Sequence, residues 1–226
     1  MKLIDLQDKR VLVTQAQDFM GPALARVFGA LGATVIADAR ALDAPAAAAK
    51  AVEAAGDIDV LIAHLALPAP STAVAAVDDD EWRQVFAHMV DPLPRLARAV
   101  LPQFTARGGG RIVVIGSAAA LRGQKRTSSY SAARGAQLGW VRAAGVELAR
   151  QNIQLNAIAQ NFVDNPTYFP PEVQANPAFQ ERLKREVPLG RLVTGDEDAL
   201  FAAYLASDAA ACFVGQVFPV CGGWVA

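Results

Sequence analysis

The 226-residue chain is poor in cysteine, in aromatic residues and in net charge. Its two cysteines, Cys212 and Cys221, could pair in principle, but two thiols in an otherwise cysteine-free chain read as inert core residues with no role. At this length about 70 to 75% of the unfolded surface can be buried, so neither disulfide nor metal is needed for folding, and there is no room for a second full domain. Twenty-one basic against 22 acidic residues, with a pI near 6.1, exclude the basic face of a nucleic-acid binder and favour small neutral or weakly anionic ligands. A membrane span is missing too: residues 60–77 lack Asp, Glu, Lys and Arg but are interrupted by His64, Pro68, Pro70, Ser71 and Thr72. Residues 1–10 alternate charged and apolar side chains and lack the uncharged stretch of a signal peptide, so the expectation is a cytoplasmic protein. Aromatics make up only 7% of the chain while 47 alanines raise the hydrophobic share to 53%, which favours closely packed helices over an all-β fold.

What is present is an alternation of short β-branched runs with longer alanine-rich segments. Strands are expected at 10–14, 34–38, 60–64, 111–116, 153–159 and 216–220, and helices at 22–31, 44–55, 79–105, 129–150 and 196–206. Pro92 and Pro94 should bend the third of these helices. Repeated βα units predict a single α/β domain over residues 1–226, a Rossmann-like doubly wound parallel sheet with helices on both faces. Residues 161–191 break the rhythm with Pro166, Pro170, Pro171, Pro177 and Pro188 beside Phe162, Tyr168, Phe169 and Phe179. An irregular segment after a central strand reads as a substrate loop, because ligands bind beyond the carboxyl ends of parallel strands.

Chemistry concentrates at Ser117, Tyr130 and Arg134. Ser117 ends the fourth strand, and Tyr130 and Arg134 stand four residues apart, on one face of a helix. A permanently charged guanidinium beside a phenol favours phenolate, which makes Tyr130 a candidate general base, and Ser117 can donate to the same substrate oxygen. This S-x12-Y-x3-R spacing, the βα order and the closing Gly215-Gln216 to Gly222-Gly223 resemble the short-chain dehydrogenase/reductase superfamily over essentially the whole chain. Those reductases carry Lys where Arg134 stands.

The first βα turn separates two branches of that resemblance. A dinucleotide pyrophosphate needs glycines so that backbone N–H groups can approach it. The turn reads Thr14-Gln15-Ala16-Gln17-Asp18-Phe19-Met20-Gly21, with Gln15 and Phe19 where reductases have glycine. Thr14, Phe19 and Gly21 instead match T-x4-F-x-G, which with S-x12-Y-x3-R is similar to the paired signature of halohydrin dehalogenases. That resemblance implies a cofactor-independent enzyme converting vicinal halohydrins to epoxides plus halide and proton, and opening epoxides with azide, cyanide or nitrite in reverse. It further implies Ser117, Tyr130 and Arg134 as catalytic residues and a halide pocket of backbone N–H groups at Gln160, Asn161, Phe162 and Val163, walled by Phe19. The family commonly has Pro where Gln160 stands. Thr14, Tyr168 and Phe169 are expected to line the substrate pocket. Neither cofactor nor metal is expected, nor nucleic-acid or membrane partners. Family members form homotetramers through paired long helices, and Ala132, Ala133, Ala136, Gly139 and Ala143 supply the small residues that such packing needs.

Two other classes stay open. Asp38, at the end of the second strand, is where an NAD enzyme keeps its ribose-binding acid, so an NAD(P)-dependent reductase with an atypical glycine loop is the alternative. A ligand-sensing protein that has kept only the fold is the third. His64 and His88 are expected to be structural rather than catalytic.

Overall fold

A computed structural model describes residues 4–225. The β-branched runs become β1 (Arg10–Thr14), β2 (Thr34–Asp38), β3 (Val60–His64), β4 (Gly110–Ser117), β5 (Ile153–Gln160) and β6 (Val217–Val220), in the order β2-β1-β3-β4-β5-β6 with every neighbour parallel. Parallel strands need crossovers, and helices supply them: α1 (Gly21–Ala30), α2 (Ala47–Ala55), α3 (Asp79–Met89), α4 (Pro92–Ala106), α5 (Ser128–Leu148), α6 (Pro171–Gln174), α7 (Pro177–Glu186) and α8 (Gly195–Ala206). Alternate residues of each strand feed opposite layers. Val113 and Ile115 face α1 and α8, packing with Leu24, Phe28 and Ala202. Ile112 and Val114 face the other layer, packing with Val52, Leu96 and Val141 of α2, α4 and α5.

The chain leaves β1 toward β2 and then returns to place β3 on β1's other side, so the strand order reverses between β1 and β3. Helices diverge at such a point and open a crevice at the carboxyl ends. Thr14 closes the seam there: its Oγ1 donates to the His64 carbonyl at 2.8 Å and accepts from the His64 N–H at 3.0 Å. β4 and β5 run in register for eight pairs, ending with Ser117 opposite Gln160. That pairing brings the serine of the first motif beside the turn that follows β5.

Three expectations change. The helix foreseen at 79–105 is two helices, because Pro92 has no N–H for another turn of α3 and instead opens α4, where a first-turn N–H is not required. The segment 161–191 is less irregular than its prolines imply, since it contains α6 and α7, each with Pro in its first turn. Of the two free thiols only Cys221 is in the core, whereas Cys212 is exposed. No helix among the described residues is long and apolar enough to cross a membrane.

One buried acid is at odds with its layer. The helix α8 starts on a capping box, Thr194 Oγ1 accepting from Glu197 N–H at 3.1 Å while Glu197 accepts from Thr194 N–H at 2.8 Å. A turn later Asp198 is fully buried, and neither carboxyl oxygen has a partner among the described residues. Burial pushes the Asp198 carboxyl up to about 7 from 3.8. The folded state therefore binds a proton that the unfolded chain has released, and stability falls as pH rises from about 4 to about 7. Asp198→Asn should flatten that decline and stabilise the protein above this range by a few kcal/mol, as read by thermal unfolding across pH.

Candidate functional site

Ser117, Tyr130 and Arg134 converge at the carboxyl ends of β3, β4 and β5, in a cavity of about 330 Å³. Tyr130 lies in the first turn of α5 and Arg134 one turn on, and Arg134 Nε donates to Tyr130 Oη at 3.1 Å. Arg134 is 3% exposed. Its Nη1 donates to the Leu65 and Ile115 carbonyls and to Gln137 Oε1, each at 3.0 Å, so the buried charge has polar partners and its direction is fixed. Ser117 Oγ accepts from Ala119 N–H at 3.2 Å, where it caps a short 3-10 turn, leaving its own proton to donate into the cavity.

The opposite wall comes from the segment after β5. Gln160, Asn161, Phe162, Val163, Tyr168 and Phe169 all line the cavity, together with Phe19 from the first βα turn. Thr14 does not. It is fully buried in the β1–β3 seam, a correction to its expected place in the pocket wall, because its side chain is taken up by the backbone of β3. The expected row of backbone donors is also thinner than the sequence implies. Asn161 N–H donates to the Val220 carbonyl at 3.1 Å, and Phe162 N–H, at a φ of 51°, is taken by Asn161's own Oδ1 at 2.9 Å. No described residue accepts the Val163 N–H.

Phe179, one of the aromatics of the expected substrate loop, lines the cavity as well, and sequence reading missed Gln124, Asn165 and Arg182, which also line it. Arg182, from α7, lies 5.5 Å over the Phe162 ring and pairs with Glu186 at 3.1 Å. Its only advance signal was a cation inside the proline-rich segment. The lining thus carries two guanidinium groups and no carboxylate. Among the described residues no cluster of metal-binding side chains occurs.

The fold class ordinarily holds a nicotinamide dinucleotide over the first βα turn, and the residues here do not fit one. Gln15 and Phe19 keep the left-handed backbone of a glycine loop, at φ 47° and 46°, but carry side chains into the cleft. Gln15 Oε1 accepts from Ala66 N–H at 2.6 Å, and the Phe19 ring packs on Tyr168 at 5.4 Å and edge-on to His64 at 6.2 Å. Three of the turn's N–H groups are taken by the protein itself: Ala16 donates to the Asp38 carbonyl, Asp18 to Gln15 and Gly21 to Asp18. Gly21 alone stays glycine because a β-carbon there would come within 2.4 Å of the Ala16 backbone. Asp38, the remaining ribose-type acid, is 7% exposed and held by Arg40 at 2.6 Å.

His64 is buried, with Nδ1 on the Gln15 carbonyl at 3.2 Å and Nε2 unpartnered among the described residues. Burial first and the Arg134 charge second push its imidazole down to about 4, so it is neutral at physiological pH. His88 sits on the surface of α3 with Nδ1 against the Gln84 carbonyl.

The family described as enoyl-(acyl carrier protein) reductase matches residues 3–225. The 3-oxoacyl-(acyl-carrier-protein) reductase FabG of Pseudomonas aeruginosa is 33% identical, covering 97% of this chain and 98% of the relative. Two solved structures are similar throughout. One, described as a dehalogenation enzyme, is 34% identical with a TM-score of 0.91 and covers 97% of this chain and 99% of its own. The other is the halohydrin dehalogenase HheC bound to ethyl (2S)-oxiran-2-ylacetate, 26% identical with a TM-score of 0.88, covering 95% of this chain and 96% of its own. A match nearly as long as the chain, on a sheet of this order and with the serine and tyrosine at its carboxyl edge, means that the chain belongs to the short-chain dehydrogenase/reductase superfamily and resembles the halohydrin dehalogenases related to it.

Proposed function

We propose that the protein is a cofactor-independent halohydrin dehalogenase, which closes a vicinal halohydrin to an epoxide with release of halide and a proton. The observation that carries this reading is the pairing of a Tyr130–Arg134 contact with a first βα turn filled by Gln15 and Phe19. Tyr130, as phenolate beside the Arg134 guanidinium, takes the alcohol proton while Ser117 donates to the same oxygen. The alkoxide forms its C–O bond on the neighbouring carbon from the rear as the carbon–halogen bond breaks. Nucleophile and leaving group share one molecule, so holding the anti conformer supplies much of the rate. The halide leaves toward the wall of Gln160, Asn161, Phe162, Val163 and Phe19, where the Val163 N–H has no acceptor among the described residues and is free to meet developing charge. A lining with two cations and no carboxylate suits that departing anion, and suits azide, cyanide or nitrite entering for epoxide opening.

The reductase reading draws on the likeness to the 3-oxoacyl-(acyl-carrier-protein) reductase and on Asp38. Against it stand the Arg40 pairing of that acid and the Gln15 and Phe19 side chains that fill the turn. The homotetramer implied by the family would pair through the outer face of α5, where Gly139, Ala143 and Val146 are exposed and Ala132 and Ala136 half-exposed; Ala133 faces the protein's own core.

With 1,3-dichloro-2-propanol and no nicotinamide, the purified protein should release chloride, and Tyr130→Phe should lower the rate by about a thousandfold. Absence of halide release from several short halohydrins, together with saturable NADH binding, would move the assignment to the reductases. Arg134→Lys should lose dehalogenation at neutral pH, because a single ammonium cannot serve Tyr130 and three buried acceptors with the same geometry; chloride release by that variant at the wild-type rate would remove Arg134 from the mechanism.

A further inference from the structure

The two guanidinium groups of the cavity lining are not equivalent. Arg134 is buried and committed through Nε and Nη1 to the phenol, two carbonyls and Gln137. Arg182 enters from α7 on the loop side with a half-exposed side chain, and its head group lies 5.5 Å over the ring of Phe162, itself part of the lining. A guanidinium offers a carboxylate two paired edges, one of Nε with an Nη and one of the two Nη groups. Arg182 Nε donates to Glu186 Oε2 at 3.1 Å, and among the described residues neither Nη has an acceptor. Glu186 does not cancel this charge, because its other oxygen accepts from Arg185 at 3.1 Å and one carboxylate is shared by two guanidinium groups. The Nη edge of Arg182 is therefore an unused cationic fork at a cavity whose lining has no carboxylate. The loop residues beside it are apolar: Phe162 stacks on Phe169 at 6.2 Å, Phe169 packs on Phe179 at 5.4 Å, and α6 adds Val173.

We infer that the substrates of this site are short vicinal halohydrins that carry a carboxylate, together with the epoxy acids formed from them, and that Arg182 is the specificity-determining residue that receives the carboxylate on its Nη edge. This rests on the dehalogenase reading for the reacting end of the substrate and not for the acid end. Ring closure leaves the carboxylate untouched: the C–O bond forms, the carbon–halogen bond breaks, the alcohol proton passes to Tyr130, and the acid serves only as an anchor. A planar carboxylate meets the planar fork through two parallel N–H···O bonds. The Phe162 face shields the cation from water on one side, which strengthens its attraction for an anion. A neutral halohydrin of the same length leaves the fork to water. With a volume of about 330 Å³ the cavity is at the small end of the roughly 300 to 1,000 Å³ usual for small-molecule sites, so the carboxylate belongs to a chain of few carbons.

3-Chloro-2-hydroxypropanoate and 4-chloro-3-hydroxybutanoate, each compared with its amide, present one skeleton with and without the charge. Chloride release, corrected for the enzyme-free rate, should favour the acid in kcat/KM by about tenfold or more at the better-fitting length, mainly through KM. Arg182→Gln should bring that acid-to-amide ratio to about one, whereas Glu186→Gln, which frees Nε as well, should raise it. If Arg182 served halide departure alone, its loss would slow acid and amide alike; an unmoved ratio, or a wild-type preference for the amides, overturns the inference. Binding is read without turnover as well. By calorimetry 3-hydroxybutanoate, which has no leaving group, should bind about tenfold tighter than 3-hydroxybutanamide, and Arg182→Gln should remove the difference. If that difference appears while no halohydrin reacts, the acid site stands and the dehalogenase reading fails. If the amides and 1,3-dichloro-2-propanol release chloride and neither acid is preferred, the dehalogenase reading stands and the acid site fails.

Discussion

The carboxyl edge of the sheet beside Tyr130 is organised around one buried guanidinium. A charge in the interior is tolerable only when it is hydrogen-bonded, and Arg134 is bonded through Nε and Nη1 to groups carried by several elements. It reaches the Leu65 carbonyl just past β3, the Ile115 carbonyl within β4 and, through Gln137, the Met89 carbonyl that ends α3. Tyr130 inherits its direction from this set. Planarity matters here, because a flat fork can address the phenol and the sheet edge together, whereas a rotating ammonium has three tetrahedral donors and no fixed plane.

The sheet supplies the complementary constraint. Because β4 and β5 are in register up to Ser117 and Gln160, the serine and the β5 turn cannot be placed independently. Apolar packing of Phe169 on Phe179 and of Phe162 on Trp224 then fixes the outer wall. The cavity gains its electrostatic sign from what was left out of it: acids are plentiful in the chain, yet Asp164 is engaged by Gln174, Glu186 by Arg182 and Arg185, and Asp38 by Arg40.

Much of this was legible in the sequence because the signals were local. β1, β2 and β3 have the bounds that β-branched runs imply, and the helix pairing Tyr130 with Arg134 follows from a four-residue spacing. The remainder depends on contacts distant in sequence. Thr14 read as a pocket residue because a motif does not say which way a side chain turns, and the hydrogen bonds to β3 that turn it inward lie fifty residues away. Arg182 and Gln124 carry no spacing signal and reach the cavity only through the path of the loops that bear them. That Asn161 would take the Phe162 N–H for itself depends on one side-chain rotamer, which no pattern of residue types encodes.

The first βα turn has a further consequence. Gln15 and Phe19 hold a left-handed backbone that costs each about 1 to 3 kcal/mol relative to an easier conformation. The chain thus carries the mould of a nucleotide loop, filled by side chains instead of by a ligand. Remaking such a site would therefore be a matter of subtraction: two side chains to trim and one ion pair at Asp38 to release, on a main chain already bent to receive them.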